Sequence, residues 1–195
     1  MTTSRRINFP WWRFLVPFLL QLAIILIVPA KSAYTYNFGT QAVLQTQPVD
    51  PYDLLRGYSQ TLSYDISRIN NLKQFSGGED LTKGDTFYVI LELNLVEAKL
   101  PPSPSKIIKI TRKFPEDLTK SQVALKGRVA KYNLVSYGLE TYYMPESQRN
   151  KINQEIRELD RDSQGKRPFV VEIRVDRWGN SVPVSLWLED KQYTF

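Results

Sequence analysis

FVVEIRVDRWGNSVPVSLWL, residues 169–188, decides the fold. Phe169, Val171, Ile173 and Val175 alternate with Val170, Glu172, Arg174 and Asp176, a repeat of two that a strand with one buried face requires. Arg177-Trp178-Gly179-Asn180 follows, and then Val182, Val184, Leu186 and Leu188 fall on one face of a second run. Two alternating runs around a Gly-Asn pair predict a β-hairpin, with the glycine supplying the positive φ that tight closure needs.

Period two continues upstream. In residues 58–66, Tyr58, Gln60, Leu62, Tyr64 and Ile66 share one face of an expected half-buried strand. Residues 86–94 repeat the pattern with Phe87, Val89, Leu91 and Leu93 inward, and 107–114, 123–129 and 135–143 are further expected strands. Connections are short, so antiparallel pairing is expected. Pro101, Pro102 and Pro104 mark a loop, because proline has no N–H for a sheet ladder. One helix is expected over residues 146–159, with Pro145 at its start and Ile152, Ile156 and Leu159 on a narrow stripe. The expected class is mainly β: an N-terminal transmembrane helix, then a single antiparallel β domain with one short helix.

The transmembrane expectation rests on residues 14–30, FLVPFLLQLAIILIVPA, which carry no charge and only Gln21 as a strongly polar residue. Seventeen helical residues rise roughly 25 Å, the short end of what crosses a bilayer core. Trp11 and Trp12 stand where indoles favour the headgroup zone. Pro29 is read as the end of the span, and residues 31–42 as a polar spacer entering a first strand. Arg5, Arg6 and Arg13 precede the span, whereas Lys31 is the only charge in the nineteen residues after it, the first acidic residue being Asp50. That bias places the N-terminus in the cytoplasm and residues 31–195 on the extracytoplasmic side. The expected division is therefore 1–30, cytoplasmic N-terminus and anchor, and 31–195, exported β domain. Val28-Pro29-Ala30 also fits a cleavable export signal; an uncleaved anchor is the preferred reading.

The chain's 195 residues carry 26 Lys+Arg against 20 Asp+Glu, net +6, with a pI near 9.4. Setting aside Arg5, Arg6 and Arg13 halves the surplus to +3, so the basic pI partly reports topology. No basic-aromatic stripe supports nucleic acid as a partner. The chain has no Cys and no His, which excludes disulfides, thiol nucleophiles, imidazole or thiolate metal sites and Ser-His-Asp triads.

Two His-free catalytic routes remain. A Ser/Lys dyad would draw on Ser59, Ser63, Lys106, Lys126 and Lys131, but no spacing sets a lysine beside a serine. Paired carboxylates would draw on Asp50, Asp53, Glu92 and Glu140. Glu79, Asp80 and Asp85 lack the regular ligand spacing of a calcium loop. No catalytic residue, metal site or cofactor is expected.

Several blocks, in order, resemble the bacterial membrane-anchored GDYXXLXY proteins. Gly57-Tyr58-Ser59-Gln60-Thr61-Leu62-Ser63-Tyr64 matches the name-giving motif at Gly57, Leu62 and Tyr64, with Tyr58-Ser59 in place of Asp-Tyr. Asp50-Pro51 and Asp53-Leu54-Leu55-Arg56-Gly57 are similar to its lead-in. Leu125-Lys126-Gly127-Arg128, the segment from Tyr137 to Glu146, and Arg174-Val175-Asp176 with Gly179 resemble later blocks. The resemblance implies an anchored, export-side β domain and brings no catalytic residues.

Asp50, Asp53, Arg56, Gly57, Tyr64, Glu140 and Tyr142 are the candidate binding or structural-corner residues. Asp50 and Asp53 carry turn chemistry, and Gly57 allows a sharp strand entry. Arg56 is expected close to Asp50, Asp53 or Glu140, with Tyr64 at least partly buried beside them. The functional expectation is a non-enzymatic, membrane-tethered binding or assembly protein of the cell envelope. Its expected partners are the lipid bilayer and other membrane proteins. The alternative is a tethered hydrolase using Ser/Lys or paired carboxylates.

Overall fold

A computed structural model describes residues 11–46, 59–61, 63–94, 100–143, 151, 154–155 and 169–194. The chain opens with α1, Trp12–Phe38, and continues through strands arranged in antiparallel sheets. One four-stranded sheet has the order β1-β8-β9-β10, from Thr40–Gln45, Phe169–Val175, Ser181–Leu188 and Lys191–Thr194. The other has the order β4-β3-β5-β6, from Lys106–Thr111, Thr86–Glu92, Gln122–Val129 and Val135–Ser136. A two-stranded ribbon pairs β2, Ser59–Thr61, with β7, Thr141–Tyr143. The protein is mainly β with an apolar N-terminal helix.

The two large sheets share one core. Leu44, Val171, Ile173 and Leu186 come from the first, and Phe87, Val89, Leu91 and Leu125 from the second. Phe87, Val89, Leu91 and Leu93 are all buried, as the alternation predicts. The outer edge of β1 is closed by the chain after the prolines: Ser105 N–H donates to Val43 O, and Val43 N–H to Ser105 Oγ.

The hairpin of β8 and β9 forms around Gly179, whose φ is 84°. Its second strand departs from the expected parity. A bulge makes Glu172 face Ser185 while Ile173 faces Pro183 and Val175 faces Ser181. Directly opposed residues lie on one face, so Ser181 and Pro183, not Val182 and Val184, share the face of Val175 and Ile173. Leu186 and Leu188 stay buried.

Three further expectations are corrected. First, Pro29 does not end the helix, because α1 runs through it to Phe38. A helix-interior proline costs ~3 kcal/mol. Beyond Pro29 the helix gains three hydrogen bonds to the β8–β9 hairpin, from or to Lys31, Thr35 and Asn37, at about 1 kcal/mol each, plus a Tyr34–Trp178 ring contact. These offset the penalty, and residues 31–38 are helix instead of spacer. Gly39 then lets the chain leave: a Cβ there would lie 2.4 Å from Thr35 O and 3.0 Å from Arg174 Cβ.

Second, among the described residues of the expected strand over 58–66, which leave out Tyr58 and Leu62, the only pairing is that of β2 and a bridge between Tyr64 and Thr46. Ser67 Oγ accepts the Tyr64 N–H at 3.0 Å, and Asn71 Nδ2 donates to Asp65 O at 2.7 Å. Such local side-chain bonds compete with a ladder, and a 3-10 turn, Asp65–Ser67, leads into the short helix α2, Ile69–Leu72. Ile66, Ile69 and Leu72 are consequently buried at a spacing of three. Third, the expected strand over 135–143 is two strands, β6 and β7, separated by a turn at Tyr137–Glu140. The expected helix over 146–159 lies mostly outside the described residues; Lys151, Gln154 and Glu155 within it are helical.

Candidate functional site

The apolar part of α1 is bare: no residue of its most hydrophobic stretch is buried, and Leu20, Ile25 and Val28 are among the exposed side chains. This one helix is long and apolar enough to span a membrane. Its far end is different, since Thr35 is the one buried residue that α1 contains.

Thr35 meets the hairpin tip. Its Oγ1 sits 3.2 Å from Asp176 Oδ2 and 3.1 Å from Lys31 O, one proton serving both acceptors. Asp176 is buried, and its Oδ1 accepts the N–H groups of Trp178 and Asn180, each at 2.9 Å. The Asn180 amide donates to Asp176 Oδ2 at 2.9 Å, and its Oδ1 accepts from Lys31 Nζ at 3.0 Å. Lys31, Asn180, Asp176 and Thr35 thus close a polar circuit between helix and hairpin. Around it, Arg174 Nη1 donates to Asn37 O at 3.2 Å, and the Arg177 guanidinium lies 4.3 Å over the Trp178 ring.

The same tip touches the second sheet, where Lys126 N–H donates to Gly179 O at 2.9 Å. A cleft of about 450 Å³ opens at this three-way junction, lined by Lys31 from α1, Lys126 and Arg128 from β5, and Ser181 from β9. Lys126 and Arg128 project outward on alternate positions of β5 because Leu125, Gly127 and Val129 face the core. A neighbouring hollow of about 630 Å³ is lined by Lys31, Lys126, Arg177, Trp178, Tyr88 and Phe114, the last two in edge-to-face contact.

The predicted corner is partly described. Asp50, Asp53, Arg56 and Gly57 lie outside the described residues, so the proposed proximity of Arg56 to a carboxylate does too. Tyr64 is fully buried, and its hydroxyl donates to Leu139 O at 3.0 Å. Tyr137 returns the bond, donating to Ile66 O at 2.8 Å. Burial, reinforced by the nearby Glu140 carboxylate, pushes both hydroxyls well above the ordinary tyrosine value. Glu140 itself accepts the N–H groups of Tyr137 and Gly138, which fixes the turn where Gly138 has φ 77°. Tyr142 stands in β7 opposite Gln60 of β2, so the two blocks richest in candidates are paired by backbone.

Of the hydrolase candidates, Asp50 and Asp53 lie outside the described residues. Ser63 shares no hydrogen bond with Lys106, Lys126 or Lys131. Asp85 accepts from Thr82 N–H and Oγ1, which lowers its pKa with help from Arg112, and Glu79 accepts from Gly77 N–H. Among the described residues, no group of three acidic side chains could hold a metal ion.

Sequence reasoning missed Lys31, Thr35, Asp176 and Asn180 as a unit. Treating Pro29 as a stop concealed that Lys31 and Thr35, four residues apart, share a helix face. Asp176 was legible as a turn-forming residue before Trp178-Gly179-Asn180, without its partner on α1.

Helix and sheets together define an antiparallel β protein carried on a helix of membrane-spanning length. The chain belongs to the GDYXXLXY protein family, whose sequence model matches residues 21–186, from within α1 into β9. No curated protein and no solved structure matches the chain. The family's description names a motif and no activity.

Proposed function

We propose that this chain is a single-pass, membrane-tethered protein of the cell envelope whose β domain binds or assembles with other membrane proteins and performs no catalysis. The observation that carries the reading is the Thr35–Asp176 junction: the helix enters the β sheets without a flexible spacer. A domain held this way presents one side to the bilayer and the others to neighbours confined in the same plane. Shared confinement raises effective concentration, so modest contacts suffice for assembly. Arg5, Arg6 and Arg13 against the lone Lys31 support an extracytoplasmic β domain. Asp50, Asp53, Arg56, Gly57, Tyr64, Glu140 and Tyr142 serve in this reading as a scaffold corner, supported by Glu140 holding its own turn.

Photo-crosslinking from Trp178 and from Tyr132, an exposed aromatic in the turn between β5 and β6, in intact membranes tests the assembly. A discrete membrane-protein adduct that survives stringent washing is expected, and adducts to lipid alone would overturn it. A reporter active only outside the cytoplasm, fused after residue 195, tests the side: it should work in the wild type and weaken when the three arginines are neutralised.

A further inference from the structure

We propose that the cleft between α1, β5 and the β8–β9 hairpin binds the phosphate of an anionic phospholipid headgroup. The proposal rests on α1 spanning the bilayer. Lys31, Lys126 and Arg128 converge on the cleft, and among the described residues no carboxylate lines it. Acids beside it in the chain are already engaged: Asp176 by Thr35, Trp178 and Asn180, Glu140 by two backbone N–H groups, and Asp85 by Thr82 and Arg112. Among the described residues neither Lys126 nor Arg128 has an ion-pair partner. Three cations around one hollow repel one another unless an anion sits between them, and Arg128 offers the planar donor fork that suits phosphate. Ser32, Ser136 and Ser181 add hydroxyl donors at the wall. A volume of about 450 Å³ is within the range of small-molecule pockets.

Position selects the source of the phosphate. From Phe14 to Ala30 the uncharged helix rises roughly 25 Å, the short end of what crosses the ~30 Å hydrocarbon core. Lys31 is therefore at the edge of the hydrocarbon, and the turn from Lys31 to Thr35, about 6 Å, spans the headgroup layer. Trp178, half-exposed beside Arg177, and the Tyr88–Phe114 pair flank the cleft as interfacial aromatics do. A cationic cleft at that depth faces lipid phosphates at very high local concentration.

The test uses the full chain in nanodiscs of phosphatidylcholine containing about one-third phosphatidylglycerol, with lipid retained after mild detergent extraction counted by native mass spectrometry. Wild type should retain phosphatidylglycerol over phosphatidylcholine. Each basic residue removed near a membrane surface weakens anionic binding about fivefold, so Lys126→Gln/Arg128→Gln should lower the apparent affinity about thirtyfold. Lys73→Gln/Lys120→Gln, which removes two cations outside the cleft, should leave it unchanged. Arg128→Gln alone, about fivefold weaker, provides the readout if the double variant does not fold. Equal retention of the two lipids, or wild-type retention by the cleft variants, overturns the proposal. Displacement by millimolar glycerol phosphate overturns the lipid source and leaves a soluble-anion site. Failure of the chain to enter the bilayer overturns the anchor reading and the proposal together, whereas insertion without selectivity sinks this proposal alone.

Discussion

Thr35 Oγ1 reaches Asp176 Oδ2 across 3.2 Å, and that contact links the last turns of the membrane-length helix to the tip of a hairpin near the other end of the chain. The carboxylate also organises the tip itself through Trp178 and Asn180. Asp176→Ala is expected to cost about 2–3 kcal/mol, since it strands one buried and several part-buried donors at once. Thr35→Val should cost only about 1 kcal/mol, but amide exchange over residues 31–38 should accelerate. An Asp176→Ala protein melting at the wild-type temperature would refute the junction.

Tyr64→Phe and Tyr137→Phe should each cost about 1–1.5 kcal/mol, because each leaves a buried carbonyl, of Leu139 or Ile66, without its donor. Both hydroxyls have folded pKa values raised above the unfolded one. Their contribution is therefore complete below pH ~10 and is lost as pH rises towards the folded values. In an ultraviolet titration these two of the 11 tyrosines should ionise only as the domain unfolds, and each Phe variant should shrink that late step.

Gly127→Ala should destabilise by about 1–3 kcal/mol through overpacking. A Cβ at this position would sit 2.8 Å from the Tyr137 ring and 2.9 Å from the Phe87 ring. These rings meet edge to face at 6.4 Å in the core, so neither can retreat freely. A thermal melt unchanged by the substitution would contradict the packing.

Glu155 is held below the usual carboxylate range, first by the Tyr193 hydroxyl and then by Lys191, whose Nζ lies 3.0 Å away. A depressed folded pKa gives stability that is present above the unfolded value and is lost as pH falls through the folded one. Acidification below pH ~4 should therefore free β10 from residue 155 while the β8–β9 hairpin persists. Burial and the same bond push Tyr193 up to about 12. Glu155→Gln should abolish the acid-side change in Tyr193 chemical shifts and bring its ionisation back towards 10.

Much of the architecture was legible in local pattern. The alternation of Phe87, Val89 and Leu91, and of Phe169, Val171, Ile173 and Val175, names a buried face whichever strand lies next to it, because the pleat alone imposes that period. The uncharged run from Phe14 to Ala30 likewise announces a membrane-length helix, since length and polarity are properties of the segment. The corner was readable only in part: Tyr64 and Glu140 stood out, but nothing local showed that Tyr64 would bond to Leu139 and Tyr137 to Ile66.

Tertiary structure decided where local rules were in balance. Pro29 signals an end, yet contacts with Asp176, Asn180 and Trp178 carry the helix nine residues further. Glu140 folds back on its own turn and divides one apparent strand into two, and a bulge opposite Glu172 reverses the parity of β9. The cleft belongs entirely to this second class. Lys31, Lys126 and Arg128 each read as an ordinary surface charge, and only the docking of the hairpin tip against both α1 and β5 gathers them around one cavity. A residue's face follows from its neighbours in the chain, whereas its partners follow from long-range closure that no local period encodes.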